Sequence, residues 1–295
     1  MNVKSHCIKE DTPLLKLESE FLIDKKIELW IKQDYLTHPY ISGNKWRKLK
    51  YNIEEAKRLE KKRLLTFGGA YSNHIYAVAA AGKKFGFETI GVIRGEEHEN
   101  LNDTLSFAKS CGMELHYMDR STYRRKYEEN ITSELKDKFD DFYLIPEGGT
   151  NELALLGCQE MIEEIKINFD VVCMPCGTSG TLAGSVLALK NKQRAIGFSV
   201  LKGKDFLESE VIKLIGDEFN NWTINWDYHF GGYAKTKADL IKFIEDFKEN
   251  YAVQLEPIYT GKMFYGLFDL IAKDFFDEGS KIVAIHTGGL QAFQS

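Results

Sequence analysis

Short apolar runs alternate along the chain with longer stretches in which apolar residues recur every three or four positions. The short runs, typical of strands buried on both faces, cover residues 64–67, 89–93, 142–145, 171–174, 195–200 and 282–285. The longer stretches predict helices near 51–62, 73–85, 101–111, 151–166, 181–191, 207–219, 237–250 and 263–276. A strand followed by a helix, repeated in this way, predicts an α/β fold with mainly parallel sheets.

The chain length bounds the number of domains. At 295 residues it exceeds the ~100–200 residues of a usual single domain, so one large domain or two intimate ones are expected. Only five prolines occur, and no Gly/Ser-rich stretch could serve as a flexible linker. Two domains would therefore be interleaved rather than tethered.

Charge and hydropathy indicate a small-molecule partner. A net charge of −5 gives no reason to expect the concentrated basic surface that nucleic acid requires. No apolar run approaches the ~18 residues that span a bilayer, and residues 1–15 lack the apolar core of a signal peptide. We therefore expect a cytoplasmic protein with neither a nucleic-acid nor a membrane partner.

A basic cluster follows a glycine in the segment Ser42-Gly43-Asn44-Lys45-Trp46-Arg47-Lys48-Leu49, just before the helix predicted near Tyr51. Cations disfavour the start of a helix unless an anion lies there, so the cluster is consistent with a bound anion. A solvated basic helix start is the alternative interpretation of the segment alone.

Two strand ends carry glycines followed by hydroxyl residues. In Gly68-Gly69-Ala70-Tyr71-Ser72-Asn73, Ser72 is suited to cap the next helix, and the glycines allow a ligand to approach the backbone. The segment from Cys176 to Gly184, with Gly177-Thr178-Ser179-Gly180-Thr181 at its centre, has the composition of a phosphate-binding loop. It lacks both the P-loop and the dinucleotide patterns. The sequence therefore predicts a phosphorylated cofactor smaller than a nucleotide.

Together these segments resemble the family of 1-aminocyclopropane-1-carboxylate deaminases and D-cysteine desulfhydrases, which use pyridoxal 5'-phosphate and have the tryptophan-synthase-β fold, known as fold type II. The resemblance extends from about Ile41 to Gly289 and is most specific around Gly43-Asn44-Lys45. It implies two α/β domains with the cofactor between them: a large one formed by residues 1–47 and 154–295, and a smaller inserted one formed by residues 48–153. It also implies a homodimer.

The resemblance further implies roles for individual residues. Lys45 would be linked covalently to the cofactor, and Lys48 would contact its phosphate. Ser72 would be the active-site serine, and the amide of Asn73 would contact the cofactor's phenolic oxygen. The phosphate loop would consist of Gly177, Thr178, Ser179, Gly180 and Thr181, and the tyrosines that face the substrate would be Tyr233 and Tyr259.

Two positions distinguish the branches of this family. Where the cyclopropane deaminases have a glutamate and a leucine, this chain has Thr260 and Thr287, which is similar to the D-cysteine desulfhydrases. A neutral hydroxyl near the cofactor ring supports a weaker electron sink than a carboxylate, which suits loss of an α-proton and departure of a thiolate. We therefore predict β-elimination of D-cysteine to pyruvate, sulfide and ammonia, with Lys45 as the base. The alternatives are deamination of the cyclopropane substrate, action on another small amino acid, or binding of the cofactor without turnover.

The cysteines offer an alternative of another class. Five cysteines, an odd number, indicate reduced thiols rather than a disulfide framework, but Cys173 and Cys176 have the Cys-x-x-Cys spacing of a thiol redox protein. The position of Cys173 within a predicted buried strand counts against this alternative. No group of residues has metal-ligand spacing, so no metal is predicted.

Overall fold

The computed structural model describes residues 3–97, 99–190, 192–203 and 206–293. Its strands are β1 (Leu14–Leu17), β2 (Glu28–Lys32), β3 (Arg63–Gly68), β4 (Glu88–Arg94), β5 (Met113–Met118), β6 (Tyr143–Ile145), β7 (Val171–Cys176), β8 (Arg194–Ser199), β9 (Trp222–Asn225) and β10 (Lys281–Ile285). Its helices are α1 (Glu20–Asp24), α2 (Asn44–Arg58), α3 (Asn73–Phe85), α4 (Asp103–Ser110), α5 (Arg120–Arg124), α6 (Glu129–Phe139), α7 (Glu152–Glu163), α8 (Gly180–Leu187), α9 (Phe206–Ile215), α10 (Ala238–Tyr251) and α11 (Thr260–Ala272).

The strands form two sheets. The larger has the order β1-β2-β10-β7-β8-β9, in which only the edge pair β1 and β2 is antiparallel. The smaller has the order β5-β4-β3-β6 and is parallel throughout. Parallel strands require crossover connections, which the intervening helices supply. The architecture is therefore α/β with mainly parallel sheets, as the alternating pattern predicts.

Apolar clusters cover both faces of each sheet. Cys173 and Ile282 of the larger sheet face one cluster, while Val172 and Val283 face another on the opposite side. In the smaller sheet Leu64 and Leu65 are divided in the same way. Burial on both faces explains why these strands are continuous apolar runs in the sequence.

The start of α2 differs from the prediction. The sequence predicts a helix from about residue 51, whereas the helix begins at Asn44, so Lys45 and Lys48 lie within its first two turns rather than before it. The expected boundary between residues 47 and 48 falls inside this helix. The strands of the smaller sheet all lie between residues 63 and 145, and the division into domains stays a prediction.

A buried ionic cluster ties α2 to the larger sheet. Arg47 Nη2 lies 2.7 Å from Asp34 Oδ1 and 2.8 Å from Glu164 Oε2, and Lys32 Nζ lies 2.7 Å from the same Glu164 oxygen. The side chains of Lys32 and Asp34 are fully buried, and that of Arg47 is 1% exposed. Because buried charges are tolerated only when they are paired, this cluster anchors the first turn of α2.

None of the helices in the parts of the chain that the structure describes is long and apolar enough to cross a membrane.

Candidate active site

A cavity of about 890 Å³ opens where the loops after β3, β7 and β10 meet the start of α2. Most of the side chains singled out in the sequence line it. They are Lys45, Ser72, Asn73, Gly177, Thr178, Thr181, Tyr233, Tyr259 and Thr287. The carboxyl ends of parallel strands are where α/β proteins bind their ligands, and the cavity lies at such an edge of both sheets.

Lys45 reaches the cavity from the first turn of α2, which begins after a glycine that no other residue could replace. Gly43 has φ +57°, and a Cβ there would lie 2.0 Å from the carbonyl oxygen of Thr287. The start of α2 is therefore packed directly on the loop that follows β10. Burial, followed by the nearby charge of Lys48, lowers the pKa of the Lys45 amine from 10.5 to about 7. A large fraction of this amine is neutral at physiological pH.

Lys48 lies one turn further along α2 and is fully buried. Its Nζ donates to Thr178 Oγ1 at 3.0 Å, to Thr150 Oγ1 at 3.1 Å and to the carbonyl of Gly148 at 3.2 Å. Burial lowers its pKa. Lys48 does not line the cavity itself but lies behind the loop of residues 177–181, with no carboxylate among these partners. A cation held by neutral oxygens beside a glycine loop is suited to attract an anion.

The loop between β7 and α8 presents several unused donors. The Ser179 hydroxyl is buried and has no hydrogen-bond partner among the described residues, and Ser179 makes no side-chain cap to α8. Thr178 and Thr181 line the cavity, and Asn44 Nδ2 donates to Thr181 Oγ1 at 2.9 Å. A phosphate group at this loop would satisfy the Ser179 hydroxyl, the first N–H groups of α8 and the charge of Lys48. These residues fit the phosphate of a small cofactor.

Ser72 and Asn73 lie at the opposite wall, where α3 begins. The Ser72 hydroxyl oxygen accepts from the backbone N–H groups of His74 at 3.2 Å and Ile75 at 3.3 Å, which confirms the predicted helix cap. The side chain of Asn73 accepts a hydrogen bond from Gln291. The sequence gave no reason to single out Gln291, because it follows the last predicted strand in a segment without a recognisable pattern.

Tyr233 and Tyr259 face each other at the cavity wall, with ring centroids 6.0 Å apart and planes at 71°. Burial raises the pKa of both phenols, and a hydrogen bond from Tyr259 partly offsets the rise in the pKa of Tyr233. Both phenols therefore stay protonated at neutral pH. The Lys262 ammonium donates to the carbonyls of His229 at 3.0 Å and Gly232 at 2.9 Å, which holds the loop that carries Tyr233.

Thr260 and Thr287 were both predicted to bind the cofactor; they occupy different environments, and their contact with it stays a prediction. Thr287 lines the cavity. Thr260 is fully buried outside the lining, and its hydroxyl donates to Glu256 Oε1 at 3.1 Å and accepts from the Glu256 backbone at 3.2 Å. The Glu256 carboxylate also accepts from the backbone N–H groups that begin α11, so Thr260 belongs to a helix cap rather than to the cavity wall.

The two redox-spaced cysteines lie on opposite faces of one strand. Both belong to β7, and residues three apart in a strand point to opposite sides. Cys173 packs in one apolar cluster and Cys176 in the other. Burial raises the pKa of both thiols, that of Cys176 to about 12. This geometry counts against a redox pair.

The chain is similar to known proteins over most of its length. A family model described as pyridoxal-phosphate dependent enzyme matches residues 8–288. A Pyrococcus furiosus protein that is provisionally named a 1-aminocyclopropane-1-carboxylate deaminase is 34% identical over 281 residues, which cover 89% of this chain and 85% of that protein. The mitochondrial bifunctional D-cysteine desulfhydrase/1-aminocyclopropane-1-carboxylate deaminase of Arabidopsis thaliana is 32% identical, over 89% of this chain and 72% of its own. Among solved structures, a homologue of ACC deaminase matches with a TM-score of 0.82 at 32% identity, covering 98% of this chain and 92% of the other.

Proposed function

Because the chain belongs to the family of pyridoxal-phosphate dependent enzymes, and is a lyase or deaminase of the 1-aminocyclopropane-1-carboxylate deaminase and D-cysteine desulfhydrase type, we propose that its substrate is D-cysteine. In this reaction D-cysteine and water give pyruvate, sulfide and ammonia by β-elimination. The proposal is carried by one observation: a hydroxyl residue, Thr287, lines the cavity at the end of β10.

The hydroxyl residues at positions 260 and 287 favour β-elimination for an electrostatic reason. When bound, pyridoxal phosphate supplies an electron-accepting ring that stabilises negative charge at the substrate's α-carbon. A carboxylate near its ring nitrogen, such as the glutamate that the cyclopropane deaminases have at the position of Thr260, would strengthen that acceptor, whereas the neutral hydroxyls of Thr260 and Thr287 would leave it weaker. The nearby carboxylate of Glu256 is engaged by the helix cap of α11. A weaker acceptor suffices when a good leaving group departs from Cβ as the α-proton is lost.

Lys45 has the properties of both the covalent anchor and the base. Each role requires an unprotonated amine, and a pKa of about 7 supplies one at neutral pH. Lys45 would hold the cofactor covalently at rest, and its neutral amine, when released, would accept the substrate's α-proton.

Ser72 is suited to hold the substrate's carboxylate. Its oxygen accepts two backbone hydrogen bonds, which leaves the hydroxyl proton free to donate. The N-terminus of α3 adds a favourable dipole at the same point. Tyr233 and Tyr259, both protonated, border the space where the leaving group departs. Either phenol could then donate a proton to the departing thiolate.

Ring opening of 1-aminocyclopropane-1-carboxylate is the second candidate. It is favoured by the name of the 34% identical Pyrococcus furiosus protein and by the bifunctional name of the Arabidopsis thaliana enzyme. That reaction starts from a carbon without an α-hydrogen and makes a greater demand on the electron acceptor. The neutral hydroxyl residues Thr260 and Thr287, with no carboxylate at position 260, make it the less favoured candidate.

The substrate is tested by assaying the holoenzyme separately with D-cysteine, L-cysteine and 1-aminocyclopropane-1-carboxylate. We expect sulfide and pyruvate from D-cysteine, and little keto acid from the cyclopropane substrate. Turnover of the cyclopropane substrate alone would overturn the proposal. Thr287→Leu should reduce D-cysteine turnover while Thr260→Val, behind the wall, should reduce it less.

The role of Lys45 is tested by the visible absorption of the purified enzyme. Lys45→Ala should lose the band of covalently held cofactor and lose activity, whereas Lys57→Ala, an exposed lysine on the same helix, should retain both. An unchanged band in Lys45→Ala would place the covalent link elsewhere.

A further inference from the structure

A second cavity adjoins the first and is not used in the proposed reaction. This side chamber has a volume of about 760 Å³ and lies at the carboxyl ends of β3, β4 and β5. Its lining includes Arg94, Glu96, Tyr117, Arg120, Tyr123 and Arg124. Its volume falls within the ~300–1,000 Å³ of pockets that hold small molecules.

The charge of the side chamber is opposite to that of the chain. Arg94, Arg120, Arg124 and Lys126 line it together with two glutamates, Glu96 and Glu147, which leaves a net positive charge of two. The whole chain carries −5. Lys126 is paired with Glu147 at 3.0 Å, whereas the three arginines form no ion pair within the described ranges. The side chamber is thus a local positive site on an acidic protein.

The arginines are placed so that they can act together. Arg120 and Arg124 are four residues apart on α5, so they lie on the same face of that helix. The Arg94 guanidinium comes from the end of β4 and lies over the ring of Tyr123, 5.8 Å from its centroid. Three guanidinium groups, each a fork of donors, therefore border one cavity.

Two phenols supply a second, independent observation. Tyr123 is 2% exposed, and the buried hydroxyls of Tyr117 and Tyr123 make no hydrogen bond of normal length in the described part of the chain, although the Glu147 carboxylate lies close enough to Tyr123 to raise its pKa. Both residues line the side chamber. An unpaired buried hydroxyl is costly and calls for an explanation, and a ligand in the chamber would provide the missing partner.

From these features we propose that the side chamber is a binding site for a small oxyanion, a carboxylic acid or a phosphate, held by Arg120, Arg124 and Tyr123. Guanidinium groups bind carboxylate and phosphate oxygens in pairs, and a phenol adds a neutral donor. The site is separate from the place that the cofactor's phosphate takes at residues 177–181.

The side chamber shares part of its wall with the main cavity. Gly69, Tyr71 and Arg94 line both, and Asn102 Nδ2 fixes the shared loop by donating to the carbonyl of Ala70 at 3.0 Å. This loop leads directly to Ser72. An anion bound in the side chamber therefore changes the electrostatic field at the wall where the substrate's carboxylate is expected.

The experiment is isothermal titration calorimetry of the holoenzyme with inorganic phosphate and, separately, with succinate, at low ionic strength. In the holoenzyme the cofactor fills its own phosphate site, and constant visible absorption during the titration checks that it stays there. We expect saturable binding of at least one probe. Tighter binding of phosphate would indicate a phosphorylated ligand, and tighter binding of succinate a carboxylic acid.

Three variants locate the binding. Arg120→Ala/Arg124→Ala should weaken it by about tenfold or more, because charge-assisted hydrogen bonds are lost. Tyr123→Phe, which removes only an oxygen, should weaken it by about two- to tenfold. Arg125→Ala, whose guanidinium is paired with Glu128 at 3.4 Å and does not line the chamber, should bind as the wild type does.

Three results would overturn the proposal: no saturable binding of either probe below about 10 mM, unchanged affinity in the double variant, or equal weakening in Arg125→Ala. The visible band and D-cysteine turnover of each variant are measured in parallel. Loss of anion binding with intact turnover separates this site from the reaction site.

Discussion

The amine of Lys45 and the ammonium of Lys48 lie one turn apart on α2, and the charge of Lys48 makes Lys45 less basic. Burial dominates in lowering the pKa of both, and the positive charge of Lys48 adds to the effect on Lys45. Lys48 has three oxygen partners, whereas none is found for Lys45 among the hydrogen bonds of the described residues. These environments suit the different tasks proposed for the two lysines, with Lys48 binding an anion and Lys45 reacting.

The pH dependence of covalent cofactor uptake should follow Lys45. The amine reacts only when neutral, so the uptake rate of cofactor-free protein should rise through pH about 7 and level off above it. Stopped-flow absorbance measures this rate. Lys48→Met should move the midpoint upward, since it removes a like charge. A midpoint near the ordinary lysine value of 10.5 in the wild type would contradict the lowered pKa.

Lys262 should position Tyr233 without touching the substrate. Lys262→Met removes the donor to the two carbonyls of the tyrosine loop, and we expect kcat/KM to fall by about 10- to 100-fold while the visible band stays unchanged. Lys273→Met, on the exposed surface just after α11, is the control. Normal kcat/KM in Lys262→Met would show that the loop does not need this anchor.

Lys262 should also make the free energy of unfolding depend on pH. Burial lowers the folded-state pKa of Lys262 from 10.5 to about 8, so between these values the unfolded chain binds more protons than the folded one. The free energy of unfolding that this group contributes should therefore rise between pH 8 and 10.5. Denaturant midpoints of wild type and Lys262→Met should be measured between pH 8 and 10.5. The midpoint of the wild type should change with a more positive slope against pH than that of the variant.

Sequence reasoning found individual site residues where a glycine or a hydroxyl marks a junction. Lys45, Ser72 and residues 177–181 lie in such segments, and the structure places them in or beside one cavity. Gln291 and Glu256 were missed because their roles depend on partners far away or on burial, which a single sequence does not display. The position of the Thr260 hydroxyl in the helix cap of α11 was not predictable either, because proximity to Tyr259 in sequence says nothing of the direction of a side chain.

At the scale of elements, the strands that form continuous apolar runs were predictable. The runs at 64–67, 89–93, 142–145, 171–174, 195–200 and 282–285 correspond to β3, β4, β6, β7, β8 and β10, whereas β1, β2, β5 and β9 were not predicted. By contrast, β2 begins with Glu28 and ends with Lys32. The ammonium of Lys32 can be buried because it donates to the Thr12 carbonyl and to the Glu164 carboxylate. A charged residue in a strand hides the apolar pattern unless its partner is known.

Close packing of α2 on α7 should make Gly157 irreplaceable. A Cβ at this position would lie 2.0 Å from the backbone oxygen of Arg47, so Gly157→Ala must push α2 away. We expect a loss of about 1–3 kcal/mol in the free energy of unfolding and a weakened cofactor band. Leu156→Ala, one residue away and 42% exposed, should change stability by less than about 0.5 kcal/mol. Urea unfolding measures both variants.

The ionic cluster at the start of α2 should matter more than pairs on the surface. Asp34→Ala leaves the buried charge of Arg47 with one carboxylate fewer and should cost about 3–5 kcal/mol. Asp141→Ala breaks the exposed pair with Lys61 and should cost no more than about 1 kcal/mol. Equal losses in the two variants would mean that the cluster does not anchor the first turn of α2.

For the whole molecule, the predicted family, the fold type II architecture and the cofactor are confirmed by the family match and by the solved homologue. The homodimer, the cytoplasmic location and the domain bounds stay predictions. Strand order was beyond the sequence, because periodicity identifies strands but not their neighbours. The positive side chamber was also missed, since its arginines come from β4 and α5, which are separated in the sequence.

The place of β10 has a consequence for how this enzyme is made. It pairs with β2 on one side and β7 on the other, so the strand synthesised after all the other described strands lies inside the larger sheet. The smaller sheet, complete by residue 145, can form while the chain is still emerging from the ribosome. The larger sheet is not complete until β10 has been made, and Gly43 has no Thr287 to pack against before then. Lys45, translated well before β10, is therefore enclosed only after that strand has emerged.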